Sequence, residues 1–400
     1  MTLRAFEGFG IEIEYAIVDR DSFDVRPVAD RLLEEAAGAP ASELERGRIA
    51  WSNELSLHVI ELKTNGPAPC LDGVADDFAA ELRYIDELLA PRGARVLPCA
   101  MHPWMDPGRE QRLWPHEQTE IYHAYDRIFG CRGHGWANLQ STHLNLPFAD
   151  DEEFVRLHTA IRTLLPLLPA VAAASPFVDG RVSGLLDTRL EVYRGNQARV
   201  PEIAGRVVPD YVASIDEYHA RILEPMYRAI APYDADGVLH GEWLNSRGAI
   251  ARFDRDAIEI RVLDAQESPR ADLDVVRAVT ALVRALYEER ASSLAAQAAL
   301  PTSRLADLFE QTLRLADAAP VEDAAYLAAL GVAGPPRSAG EVWQELLARH
   351  AAGCRWRAPL ARRLLADSGA VPDHARLLRT CRRLGACLDS NGYFPPRDEP

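Results

Sequence analysis

In the run GIEIEYAIVD, Glu12 and Glu14 occupy alternate positions of a stretch otherwise built from aliphatic and aromatic residues. Side chains at i and i+2 share a face of a regular strand, so these carboxylates project together while Ile11, Ile13 and Tyr15 face the other way. An ionised carboxylate removed from water must be paired, protonated or bound to metal. The same device recurs three times. In WSNELSLHVIELKTNGP, Glu54 and Glu61 lie seven apart, so an unbroken strand sends them to opposite faces. A shared site then requires Glu54 in the entry loop, or a bulge. STHLNLPF sets His143 and Asn145 on one face, and AIEIRVLDAQ does the same with Glu259 and Arg261. Each stretch alone reads equally as the wet face of a half-buried strand. Together they describe one polar-lined sheet face enclosing a site.

Hard oxygen donors with one imidazole suit Mg²⁺ or Mn²⁺ better than zinc. Carboxylates gathered around such ions, with arginines nearby, are the apparatus for binding a nucleoside triphosphate and neutralising charge during phosphoryl transfer. Arginines are available at Arg189, Arg194 and Arg199, at Arg247 and Arg252, and at Arg261. No GxxxxGK[ST] loop is present, which excludes a P-loop site. The chain also lacks HExxH, a GxSxG elbow and a Cys–His signature, which counts against protease and esterase chemistry.

These residues need a scaffold, and the pattern supplies an α+β one. Residues 1 to about 265 alternate strand-like and helix-like stretches, with strands expected at GIEIEYAIVD, LSLHVIELKT, ARVLPCA, WANLQSTHLNLPF, LHGEWLNSRGAIARFD and AIEIRVLDAQ. Helices are expected at 75–89 and 151–165, and beyond RADLDVVRAVTALVRALYEERASSL the chain is almost wholly helical. Neighbouring strands without regular βαβ units imply an antiparallel or mixed sheet. The expected division is a catalytic domain over 1–290 and a helical C-terminal region over 291–400 packed on it.

With 400 residues, 48% hydrophobic and 26% charged, the chain can bury a large core. Its net charge of -16, with no basic block, disfavours nucleic acid and anionic membranes as partners. The start MTLRAFEGFG lacks a secretory signal pattern, and the longest apolar run, TLLPLLPAVAAASPF, is interrupted by Pro166 and Pro169. Six scattered cysteines without CxxC spacing read as reduced thiols of a cytoplasmic protein.

The motifs GIEIE, NELSLHVIELKT, STHLNL and IEIRVLD, in this order over approximately residues 8 to 270, resemble the glutamate–cysteine ligase superfamily and its carboxylate–amine ligase relatives. The resemblance implies a glutamine-synthetase-like fold, an antiparallel sheet curved around ATP and divalent ions. It implies metal binding by Glu12, Glu14, Glu54, Glu61, His143 and Glu259. It implies a catalytic role for Glu259 and for Arg261, two residues on and facing the transferred phosphoryl group. Arg189, in SGLLDTR, resembles a substrate- or phosphate-associated arginine, and Asn145 and Arg247 complete the expected nucleotide-binding set. Where the bacterial amine-ligase branch has H-x-H, this chain has His143 and Asn145. The implied activity is ATP-dependent coupling of a carboxylate, the γ-carboxyl of glutamate foremost, to an amine or amino acid through an acyl phosphate, in a cytoplasmic enzyme open to homo-oligomerisation. Two alternatives stand beside it: a kinase for carboxylate or guanidino groups on the same fold, and a non-catalytic nucleotide sensor.

Overall fold

The alternating runs assemble side by side. The computed structural model describes residues 2–395. It contains β1 (Gly10–Asp19), β2 (Glu43–Arg46), β3 (Ile49–Asn53), β4 (Val59–Thr64), β5 (Ala94–Leu97), β6 (Ser141–Pro147), β7 (Ala249–Arg252) and β8 (Ala257–Asp264). They form one sheet of order β2-β3-β4-β1-β6-β8-β7, with β5 paired to the far half of β1. Every pairing in it is antiparallel.

The helices of nine residues or more are α1 (Ala29–Ala37), α2 (Val74–Leu89), α3 (Thr119–Phe129), α4 (Asp151–Leu164), α5 (Pro269–Tyr287), α6 (Thr302–Leu315), α7 (Ala339–His350), α8 (Leu360–Ser368) and α9 (His374–Ser390). Their starts are marked locally. Asp150 caps α4 by accepting from the Glu153 amide, and Ser268 caps α5 with Pro269 in the first turn, where a missing N–H costs nothing. The apolar stripes of α2, α4 and α5 (Phe78, Leu82, Phe154, Ile161, Val276, Val279) meet one sheet face, where Ile11, Ile13, Tyr15, Leu144, Ile258 and Ile260 are fully buried.

The opposite face is divided. Its near half carries Glu12 and Glu14. Its far half carries Ala16 and Val18, which pack with Leu97 beneath Leu360 and Leu364 of α8 and Leu377, Cys381 and Leu384 of α9. Leu305, Phe309 and Leu313 of α6 and Trp343 of α7 join the main core, and Trp343 donates its indole N–H to the Leu167 carbonyl. The C-terminal helices thus seal the apolar half of the face and leave the polar half as the place for a ligand.

Most expected strands are shorter in the structure. WANLQSTHLNLPF is strand only over Ser141–Pro147, because the Trp136 and Ala137 amides close a helical turn onto Gly133 O. LSLHVIELKT is strand only from Val59, because the Val59 amide closes a turn onto Ser56 O. ARVLPCA ends at Leu97, before Pro98. In LHGEWLNSRGAIARFD only Ala249–Arg252 is strand. Upstream, the Ser246 amide bonds to Ile203 O and Asn245 donates to the Tyr218 hydroxyl, so that segment is tied into loops and cannot join the ladder. The six cysteines are unpaired. Among the described residues, no helix is long and apolar enough to cross a membrane.

Candidate functional site

Register gathers the acids. Glu12 of β1 stands opposite His143 of β6, and Glu14 of β1 stands opposite Glu61 of β4. Asn145 of β6 is opposite both Gly10 and Glu259. Glu54 lies in the loop that leaves β3, so the odd spacing from Glu61 is resolved by a turn between two strands. Two groups result. In each of Glu12–His143–Glu259 and Glu14–Glu54–Glu61, one ligand atom per residue lies within 4.8 Å of the others.

A chain of hydrogen bonds joins the groups. His143 Nδ1 is 3.1 Å from Glu12 Oε2, and its Nε2 is 2.9 Å from Ser141 Oγ. Ser141 donates from its amide and its hydroxyl to Glu14 Oε2, at 2.6 and 2.9 Å. Ser52 Oγ donates to Glu61 Oε1 at 2.7 Å, and Asn145 Nδ2 donates to Glu12 Oε1 at 3.2 Å.

The two groups differ electrostatically. Burial alone would raise the Glu259 carboxyl, but the Arg261 guanidinium, with His143 and Arg252, outweighs it and holds the group at about 2. Burial would likewise lower His143, and the bond to Glu12 with the charges of Glu259 and Glu14 lifts it to about 9. In the other group no cation compensates sufficiently. Burial and the charge of Glu12 push Glu61 up to about 8, and burial with the charges of Glu61 and Glu14 raises Glu54 well above the carboxylate range. Such a cluster of oxygen donors fits a hard divalent cation, which supplies the missing positive charge.

Arg261 lies at the β-bulge where the β8 register against β6 shifts between Ile260 and Leu263. Bulges commonly re-aim side chains beside functional sites. Here Arg261 donates from Nε and Nη2 to Glu259 Oε1 at 3.0 and 2.6 Å, while Arg252 Nη1 donates to Glu259 Oε2 at 3.1 Å. One carboxylate therefore holds two guanidinium groups over the polar face. Beside it, a cavity of about 480 Å³ is bordered by Gly10, Glu12, Lys63, Asn145 and Arg255. Its cations are paired: Lys63 Nζ lies 3.0 Å from Glu43, and Arg255 lies 3.7 Å from Glu12 and 3.6 Å from Asp254.

The structure thus brings Glu12, Glu14, Glu54, Glu61, His143, Asn145, Glu259 and Arg261 together. It does not bring in Arg247, whose Nη1 donates to the carbonyls of Glu202 and Ile203 and to Asn245 Oδ1. Arg189 is buried in an ion pair with Asp264 and reaches the site only through the Arg261 carbonyl, 3.4 Å from its Nη2. Arg194 pairs with Glu191 and Glu310, and Arg199 donates to Ile128 O. Sequence reasoning named Arg252 among the available arginines without giving it a partner, and did not single out Ser52, Ser141, Lys63 or Arg255. Ser141 was legible, since S-x-H-x-N continues the alternation back from His143; the partners of Arg252 and Arg255 depend on strand register.

A family model described as glutamate-cysteine ligase family 2 matches residues 8–387. An uncharacterised protein of Archaeoglobus fulgidus is 40% identical over 281 residues, covering 70% of this chain and 75% of that one. A provisionally assigned glutamate–cysteine ligase 2 of Sorangium cellulosum is 31% identical over 194 residues, 46% of each chain. Among solved structures, the glutamate–cysteine ligase of Francisella tularensis in complex with AMP superposes with a TM-score of 0.57 at 13% identity, covering 98% of this chain and 90% of that one. That likeness concerns the fold, which is the glutamine-synthetase-like fold of these ligases.

Proposed function

The chain belongs to glutamate-cysteine ligase family 2, and from that premise we propose an ATP-dependent carboxylate–amine ligase that activates the γ-carboxyl of glutamate and joins it to an amine or amino acid. The observation that carries this reading is the placement of two acidic groups and the Arg252–Glu259–Arg261 fork on one face, beside a cavity of about 480 Å³. Glu12, His143 and Glu259 would hold one Mg²⁺ or Mn²⁺, and Glu14, Glu54 and Glu61 another. When bound, such ions neutralise triphosphate charge and polarise phosphoryl oxygens.

The chain's own residues do the rest. Lys63 and Arg255 offer positive charge to phosphates entering the cavity, and Asn145 fixes one oxygen of Glu12. Arg261, aimed by the bulge and by Glu259, presents a rigid fork to the phosphoryl group as it passes to the carboxylate substrate. The resulting acyl phosphate is attacked at its carbonyl carbon by the amine, releasing phosphate and forming the amide. Small molecules are the partners in this reading, and the cytoplasm is the place of action.

The test is a panel of amines incubated with glutamate, ATP and Mg²⁺, reading ADP release and product mass. Amine-dependent ADP release with a new amide supports the ligase. ADP release that needs no amine and leaves a stable phosphorylated product would instead establish a kinase on this fold.

A further inference from the structure

A second concave site lies outside the acidic sheet face. A groove of about 550 Å³ is lined by Arg109, Gln111, Arg112, His123, Asp126 and Arg132, among others. In a chain of net charge -16 this collects three guanidinium groups. The ion pairs of the surrounding segment use His116, Arg127 and His134, and among the described residues none involves Arg109, Arg112 or Arg132.

One acid, Asp126, lines the groove; its Oδ1 accepts from the Cys131 amide at 2.8 Å, and Glu110 Oε2 accepts from the Asp106 amide at 2.6 Å. Arg112 is held in place, because its Nη1 donates to the carbonyls of Arg109 and Gln111 at 2.8 and 2.7 Å, and among the described residues it forms no ion pair. Gln111 at the floor is 5% exposed and is held by the Nε2 proton it donates to Ser56 Oγ at 2.9 Å. A fixed guanidinium with unpaired neighbours in a concavity is the arrangement that recognises phosphate or carboxylate through planar, paired N–H donors.

We propose that this groove binds a small anion carrying a phosphate or carboxylate group, at a site separate from the acidic centre. The groove is joined to that centre by backbone. Leu57 donates to Arg112 O at 2.8 Å and Trp114 donates to Leu55 O at 2.9 Å, so its wall is stitched to the segment directly after Glu54.

The test is titration calorimetry on the full chain in chelator without nucleotide, with inorganic phosphate in one arm and succinate in the other. Saturable binding of one of them with Kd on the order of 1 mM or tighter is expected, and the arm that binds identifies the anion class. Arg109→Gln with Arg132→Gln should weaken it at least ~10-fold with an unchanged melting curve, since both side chains are exposed. Arg255→Gln, at the other cavity, should leave it unchanged. No saturable binding by about 10 mM in either arm, or loss of binding in Arg255→Gln but not in the double variant, overturns the proposal.

Discussion

Glu14 and Glu61 stand directly opposite one another on neighbouring antiparallel strands, and both are more than nine-tenths buried. Two carboxyls so placed cannot both ionise without cost, and burial with the charges of Glu12 and Glu14 pushes the Glu61 carboxyl up to about 8. A sheet keeps such a pair when something else is meant to lie between them.

Glu61→Gln should therefore separate stability from binding. The amide keeps the shape and can still accept from Ser52 Oγ, so the metal-free protein is expected to melt no lower than the parent. Divalent-ion affinity, read by calorimetry, should fall about 10-fold or more, the scale on which altered coordination is felt. Unfolding of the variant would assign Glu61 to the scaffold.

Arg261→Lys keeps the charge and removes the fork. If Arg261 were only the partner of Glu259, lysine would serve, and Arg252 would still hold the other carboxylate oxygen. If it stabilises the transferring phosphoryl group, turnover should drop about 100-fold or more while nucleotide binding and the melting curve stay near those of the parent. Steady-state kinetics beside nucleotide titration distinguish the two.

Alternation revealed the facing sides of β1, β6 and β8, because a period of two is a local property: Glu12 with Glu14, His143 with Asn145, and Glu259 with Arg261 could be paired by inspection. Parity narrowed Glu54 to a loop position or a bulge, and the structure takes the loop. What the residues could not reveal is which arginines converge. Arg189 pairs with Asp264, 75 positions away, and Arg247 is consumed by loop carbonyls, because an arginine's partner is set by tertiary neighbours and not by spacing. The split of the polar face was hidden for the same reason, since Ala16 and Val18 look like ordinary strand residues until α8 and α9 cover them.

Acid should unfold the protein through buried histidines. His158 packs against Phe154 and Tyr218 with neither ring nitrogen hydrogen-bonded, and burial, reinforced by Arg162, lowers it from 6.5 to about 3. His102 is lowered to about 4, again chiefly by burial. Its Nε2 donates to Phe23 O at 2.7 Å and its Nδ1 accepts from the Trp104 amide at 3.4 Å, an arrangement that uses the neutral ring. The folded state thus binds fewer protons than the unfolded one below about 6.5. The contribution of each histidine is complete above that pH and is lost as pH falls towards 3–4, by up to ~1.4 kcal/mol per pH unit. Urea midpoints measured across this window should show that slope, and His158→Phe should reduce it by about one proton.

The last expectation concerns the place where β1 and β6 come closest. A Cβ at Gly10 would lie 2.9 Å from the Cβ of Asn145, an atom fixed to the backbone and unable to swing aside. Gly10→Ala must therefore push the two strands apart at the Gly10–Asn145 pair, two residues from the Glu12–His143 pair that belongs to the metal-binding group. Overpacking of this kind costs about 1–3 kcal/mol, which a well-buried sheet can absorb. The acidic group is less tolerant, because its ligand atoms must keep their mutual distances. The variant is expected to fold with a lowered melting temperature and to lose divalent-ion affinity. Adding Asn145→Gly removes the opposing Cβ. If the strain is the cause, the double variant should recover part of the stability lost by Gly10→Ala alone, giving a coupling on the order of 0.5–3 kcal/mol in a double-mutant cycle. Strict additivity would mean that Gly10 serves some purpose other than this close approach.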